Sequence, residues 1–343
     1  MRLLIIKPSS FGDVLHAFPP VALIRSALPP EIRISWVVNE AFVDVVGLCP
    51  GVDRVVPFPR QKLCSLSCIR EFLHALRAEE YDLAIDYQGL LRSGLIAKAS
   101  RAREKVGFAH AREGAPLFYT RKLTIPNLQS HAVDKNLELT RFALGIDASH
   151  LQPPPQFQIP ADGLEEAARL LPPGDAPLLA VCFSSRWESK NWSPRFIAET
   201  LDSLARDIPG VQPILVGATA DWPLGEEILQ AARMARPLNL AGKSSFHGLA
   251  AILSRASAMF TVDSGPMHLA AALGVPCIAM FGSTSPTLTG PYGPKGFHAI
   301  LSSRCASAPC MKRECPLHQN CAEGFSAQAA ADAIAAKLQR RPS

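Results

Sequence analysis

Several stretches of this chain place polar and ionisable side chains where an apolar run gives way to a helical one. The most specific is Val262-Asp263-Ser264-Gly265-Pro266-Met267-His268-Leu269-Ala270-Ala271-Ala272-Leu273-Gly274-Val275-Pro276. A strand ending at Asp263, a glycine that admits close backbone approach and a proline suited to the first helical position leave the amides of residues 264–267 turned toward an anion such as a phosphate. Read blandly, this is a tight strand-to-helix turn. A second small polar turn after the next apolar run, Gly282-Ser283-Thr284, favours the phosphate reading. Upstream, Ser184-Ser185-Arg186 and Lys190-Asn191-Trp192 follow another apolar run, and their hydroxyls and lysine suit a diphosphate and a departing nucleotide. Trp192 reads better as a core or interface anchor than as a stacking platform.

Two further stretches lie in the first half. Lys7-Pro8-Ser9-Ser10-Phe11-Gly12-Asp13 leaves the first apolar run, where open α/β sheets hold ligands. It lacks the spaced glycines of a dinucleotide fingerprint, which argues against an oxidoreductase. Ser10 and Asp13 also make a capping-box pattern, so a purely structural role competes evenly here. Asp86-Tyr87-Gln88-Gly89-Leu90-Leu91-Arg92-Ser93 repeats the arrangement, with Gln88, Arg92 and Ser93 as candidate partners of a sugar or carboxylate and a polar turn at Gly89 as the bland alternative. Arg112, Arg121, Lys122 and His131 are further candidate anion contacts, although lone basic residues are usually solvated.

The elements that must position these residues alternate regularly. Apolar runs at 2–7, 32–38, 52–58 and 83–87 are each followed by a helical pattern, at 14–28, 41–48, 67–77 and 91–100, which predicts a parallel sheet covered on both faces. Between residues 145 and 177 the texture turns proline-rich, with Pro153-Pro154-Pro155 flanking one short helix at 164–171, as at an interdomain crossing. Alternation then restarts at 178–184 and runs to a buried helix at 266–273 and a strand at 277–281. The fold class is therefore α/β with two Rossmann-like parallel-sheet domains, residues 1–158 and 159–325, and a C-terminal helix in 326–343 expected to pack back on the first domain.

Bulk properties bound the function. A chain of 343 residues suits two domains, and 48% hydrophobic against 19% charged residues marks a folded protein, with disorder expected only at Pro342-Ser343. The dispersed net charge of +5 fits an anionic small molecule or a phosphorylated lipid surface better than a nucleic-acid track. The opening apolar run is too short for a signal peptide, and no run approaches the roughly 18 apolar residues of a membrane span. Nine cysteines without a secretory signal suggest thiols in a reducing, cytoplasmic setting. Four of them, Cys305, Cys310, Cys315 and Cys321, cluster at spacings unlike the paired C-x2-C of zinc ribbons, leaving structural metal, disulfides and packed thiols open.

The ordered set KPSSFGDVLHAFP, YDLAIDYQGLLRS, PLFYTRK, SSRWESKNW and VDSGPMHLAAALGVPCIAMFGSTSP resembles the ADP-heptose:lipopolysaccharide heptosyltransferases of glycosyltransferase family 9, most closely their heptosyltransferase I branch. The resemblance spans nearly the whole chain. It implies a GT-B fold with acceptor on the first domain, nucleotide sugar on the second and the active site between them. It also implies inverting transfer of heptose from ADP-L-glycero-D-manno-heptose to Kdo-lipid A in the lipopolysaccharide inner core, by a monomer at the inner face of the cytoplasmic membrane. Residue by residue, Asp13 matches the general base and Lys190 the group that meets leaving-group charge. Ser184, Ser185, Lys190, Asp263, Ser264, Gly265, Met267 and His268 match donor contacts, and Lys7, Ser10, Gln88 and Arg112 match acceptor contacts. One extra residue separates Ser185 from Lys190 relative to the enterobacterial pattern. No DxD-like metal site is evident, so no cofactor or metal is expected in the chemistry. A transferase or epimerase using another nucleotide sugar, or a non-catalytic glycolipid-binding scaffold, would share the same architecture.

Overall fold

The computed structural model describes residues 1–147, 157–315, 321 and 325–339. The Pro153-Pro154-Pro155 run and the Pro342-Ser343 end lie outside the described residues. The chain divides into two compact units, Met1–Gln158 and Ile159–Ser343.

The first unit carries strands β1 (Arg2–Ile6), β2 (Arg33–Asn39), β3 (Arg54–Phe58), β4 (Leu83–Asp86), β5 (Glu104–Phe108) and β6 (Arg121–Leu123) in one parallel sheet of order β3-β2-β1-β4-β5-β6. Leu3, Leu4, Ile5 and Ile6 are wholly buried, as a central parallel strand covered on both faces requires. The second unit repeats this with β7 (Leu178–Cys182), β8 (Gln212–Leu215), β9 (Leu238–Asn239), β10 (Ala258–Val262), β11 (Cys277–Phe281) and β12 (Ala299–Ser302), ordered β12-β11-β10-β7-β8-β9. Both sheets share the doubly wound order in which the winding reverses beside the first strand. The reversals fall between β1 and β4 and between β7 and β10, where open α/β sheets leave a ligand crevice at their strand C-termini.

One element differs from expectation. The helix expected over 14–28 is two helices, Phe11–Leu15 and Phe18–Ala27. Pro19 and Pro20 lack the N–H a helix interior needs and fit only a first turn, so the helix restarts at Phe18. The last helix, Ala327–Leu338, packs on the second unit's helix Pro194–Asp207 and on β10 and β11. Its buried side chains are Ala330, Ala331 and Ile334; the two alanines let it lie close, and Ile334 fills the core beside Leu201, Leu204 and Ile278.

Candidate active site

In the first unit, the loop after β1 and the loop after β4 meet side by side. Lys7 is buried, and its Nζ donates to the Tyr87 carbonyl at 3.1 Å while standing 3.8 Å from Asp13 Oδ1. Gln88 joins the same group, its Oε1 accepting from the Ser9 N–H at 3.2 Å. Asp13 sits in the first turn of Phe11–Leu15, and its Oδ2 accepts from both the Ser10 N–H at 2.9 Å and the Ser10 hydroxyl at 2.7 Å. Burial opposes ionisation of Asp13, but the Lys7 ammonium, the Ser10 N–H, His16 and the Ser10 hydroxyl outweigh it and hold the carboxyl at about 2. The capping pattern is thus built on Oδ2. Oδ1, on a side chain 38% exposed, remains turned toward Lys7 and solvent.

Behind this surface, Asp86 braces the second loop. It is wholly buried at the end of β4, and its Oδ1 accepts from the N–H groups of Gln88 (2.8 Å) and Gly89 (3.2 Å), while Oδ2 accepts from the Tyr119 hydroxyl at 2.6 Å. Burial pushes its carboxyl upward, and the Tyr119 hydroxyl, Ser93 and the two loop N–H groups pull it back down. Gly89 takes φ +67°, a conformation side-chain-bearing residues rarely adopt, and this lets the loop fold onto Asp86. Arg112 is tied in through its backbone N–H to Gly89 O at 2.9 Å, with its side chain exposed. Three of the first-half candidates are occupied elsewhere. Ser93 is buried and bonded to the Leu90 backbone. Arg121 bonds Glu104, Phe142 O and Ala143 O. His131 caps its helix by accepting from the Val133 N–H.

In the second unit, the loops after β7, β10 and β11 converge on Asp263. This carboxylate, 6% exposed, accepts from Lys190 Nζ at 2.7 Å and from the Thr284 hydroxyl at 2.6 Å, both on Oδ2. His268 Nε2 lies 4.0 Å from its Oδ1. The Trp187 ring lies 4.5 Å from the ammonium and adds a cation–π contact. Ser264 precedes the helix Gly265–Ala272 in extended conformation and makes no side-chain cap, while Pro266 occupies the first turn. That helix terminus therefore carries the partial positive charge of uncapped amides beside a lysine, an arrangement that suits a diphosphate.

Other candidates have structural partners. The Ser185 N–H donates to Asn191 Oδ1, and its hydroxyl donates to Trp187 O and accepts from the Trp187 N–H, which shapes the loop. Met267 is fully buried, so only its backbone can serve a ligand. Trp192 packs against Phe196 and Phe325 in the core, as its anchor reading predicts. Thr284, Trp187 and Asp86 were not among the candidate site residues. Thr284 had a signal, the polar turn after an apolar strand, whereas the partnerships of Trp187 and Asp86 arise only from the fold.

The chain is similar to known proteins over most of its length. Residues 69–320 match glycosyltransferase family 9 (heptosyltransferase). The chain is 32% identical to lipopolysaccharide heptosyltransferase 1 of Pseudomonas aeruginosa, over 92% of this chain and 87% of that one. It is 34% identical to lipopolysaccharide heptosyltransferase 1 of Escherichia coli K12, over 85% and 91% of the two chains. The solved structure of E. coli heptosyltransferase WaaC with ADP superposes with a TM-score of 0.77 at 30% identity, covering 98% of this chain and all of that one. A family 9 glycosyl transferase from Veillonella parvula shares the fold at a TM-score of 0.86 and 21% identity, over 98% and 97% of the chains. With its two doubly wound parallel sheets and these likenesses over nearly its whole length, the chain belongs to glycosyltransferase family 9, the heptosyltransferases, and is a GT-B glycosyltransferase.

Proposed function

We propose that this protein transfers heptose from ADP-L-glycero-D-manno-heptose to a hydroxyl of Kdo-lipid A, with inversion, in assembly of the lipopolysaccharide inner core. The observation that carries the reading is the Asp263 cluster, which sets the Lys190 ammonium beside an uncapped helix N-terminus at the switch point of the second sheet. The names of the relatives support heptose and ADP as the donor chemistry. Lys190 and the amides at residues 264–267 receive the diphosphate, and Ser184, Ser185, His268 and Thr284 border it. Lys7, Ser10, Gln88 and Arg112 bind the acceptor, whose carboxylates and phosphates suit their cations and amides.

Asp13 acts as general base. As the acceptor oxygen forms its bond to the anomeric carbon, the bond from that carbon to ADP breaks and ADP leaves with the electron pair. The acceptor proton passes to Asp13 and then to solvent. A carboxylate held at about 2 is a weak base, so it takes the proton late, once the hydroxyl has become acidic through bond formation. Charge developing on ADP meets Lys190 and the helix terminus, which fill the place a cation takes in other transferases, and the chemistry needs no metal. No helix among the described residues is long and apolar enough to cross a membrane, and the net charge of +5 favours peripheral work at an anionic lipid surface. Incubation with ADP-heptose and Kdo-lipid A, followed by mass analysis, should show one added heptose. An unchanged acceptor mass beside turnover of another nucleotide sugar would overturn the donor assignment.

A further inference from the structure

One feature of the second unit lies outside the transfer chemistry. Cys305, Cys310, Cys315 and Cys321 all line a single cavity, together with Ser189 and Gly282. Its volume is ≈ 10 Å³, room for one water-sized species and too little for an organic ligand. All nine cysteines of the chain are thiols, so no disulfide uses these four.

We infer that these four cysteines bind one divalent cation of the zinc class as a structural tetrathiolate. Binding converts four thiols and M²⁺ into a site of net charge −2 and releases four protons, with no change of oxidation state. Among residues 303–315, Arg304, Lys312 and Arg313 outnumber the one acidic residue, Glu314, a balance that favours such a negative site. Zinc–sulfur bonds of about 2.3 Å place tetrahedral sulfurs roughly 3.8 Å apart. Among the described residues no three such side chains stand ready-made as a metal cage, so the cation must draw the insert inward around the cavity. The insert lies outside regular structure over residues 303–315, which permits that contraction.

The site would brace the donor loops. Between Cys310 and Cys315, the Met311 N–H donates to Ser283 O at 2.7 Å, Lys312 O accepts from the Ser189 hydroxyl at 2.7 Å, and Arg313 O accepts from the Ser189 N–H at 3.0 Å. Ser189 adjoins Lys190, Ser283 adjoins Thr284, and the two serine hydroxyls are bonded at 2.9 Å. Cys321 in turn presses on Gly282, where an added Cβ would stand 2.7 Å from its own Cβ. A cation tying Cys310, Cys315 and Cys321 together thus fixes both loops that hold Asp263 its partners. This bracing role rests on the proposed donor site, whereas the metal site itself does not.

The test uses the full chain purified under reducing conditions without chelator. Elemental analysis should find close to one zinc-class ion per chain, lost in a Cys310→Ser/Cys315→Ser double variant. Because that variant could misfold, the wild-type chain is also stripped of metal and titrated with Co²⁺. A sulfur-to-cobalt charge-transfer band saturating at one equivalent supports the site. Absence of both bound metal and that band overturns it, as does an intact mass showing disulfides in the unreduced chain, or iron accompanied by acid-labile sulfide. Calorimetric ADP binding should weaken about tenfold on metal removal, within the usual range for coupled sites. Unchanged ADP affinity with the cobalt band present would discard the bracing role alone, and absent ADP binding in the metal-loaded chain would discredit the donor site instead.

Discussion

The Lys190–Asp263 pair offers the sharpest test of how the proposed donor site is built. At 2.7 Å, with side chains 15% and 7% exposed, its Coulomb attraction at an effective dielectric of 20 is about 6 kcal/mol, most of it offset by desolvating two ions. What the pair contributes shows when one partner goes. Lys190→Met leaves the Asp263 carboxylate buried without its ammonium, the Thr284 hydroxyl still donating to it, and should cost roughly 3 kcal/mol, the low end for a broken buried pair. Asp263→Asn leaves an ammonium that can turn toward water and the Trp187 ring, and should cost roughly 1–2 kcal/mol. The double variant strands no charge, so its cost should fall short of the sum by about 2 kcal/mol. Urea unfolding at neutral pH reads this well, because Trp187, Trp192 and Trp222, three of the four tryptophans, lie in the second unit. Costs that add to within about 0.5 kcal/mol would show that the two groups do not depend on each other, and would refute the reasoning.

Other expectations follow from single environments. Asp13→Asn should lower kcat by about 10²- to 10⁴-fold while ADP-heptose affinity stays nearly unchanged, and single-turnover rates beside donor titrations check the split. Because Asp13 is held at about 2, its ionisation should contribute no acid limb to kcat between pH 7 and roughly pH 4, so a limb near pH 6 that vanishes in Asp13→Asn would contradict that environment. Gly107→Ala would drive a Cβ into the Tyr119 ring and push its hydroxyl off Asp86, costing about 1–3 kcal/mol by thermal unfolding, and Tyr119→Phe, which removes the same hydroxyl without the clash, should reproduce part of that loss. His298 accepts from the Cys277 N–H on Nδ1, faces Tyr292 O with Nε2, and is held by burial at about 4. The unfolded chain binds that proton near pH 6.5 and the folded one does not, so stability present above pH 6.5 should decline toward pH 4, by up to about 3 kcal/mol. In His298→Gln this part of the decline should disappear.

What could be read from the sequence, and what could not, divides along physical lines. Central strands such as Leu3–Ile6 in β1 and β10, apolar but for Thr261, are buried on both faces, so they announce themselves as nearly unbroken apolar runs. Four strands at or beside the sheet edges carry no such signal. β6 has three residues and β9 two, β12 is at most half-buried, and β5, second from its edge, mixes Glu104, Lys105 and Gly107 into five positions. The site follows the same division. Asp13, Asp263 and Lys190 were legible because each sits where an apolar run ends, and strand ends are where a parallel sheet presents side chains to a ligand. Their partners were not, because Lys190 meets Asp263 across 73 residues and Tyr119 meets Asp86 across 33, distances that only strand order closes. That both sheets run in the same order therefore matters for the chemistry. The β1/β4 reversal gathers Lys7, Asp13 and Gln88 around an ionised carboxylate, and the β7/β10 reversal gathers Lys190, Asp263 and His268 around an uncapped helix terminus. One topology used twice thus sets a buried lysine beside an ionised carboxylate in one unit and a lysine beside an uncapped helix terminus in the other, and the difference between them lies in which residue types occupy equivalent loops.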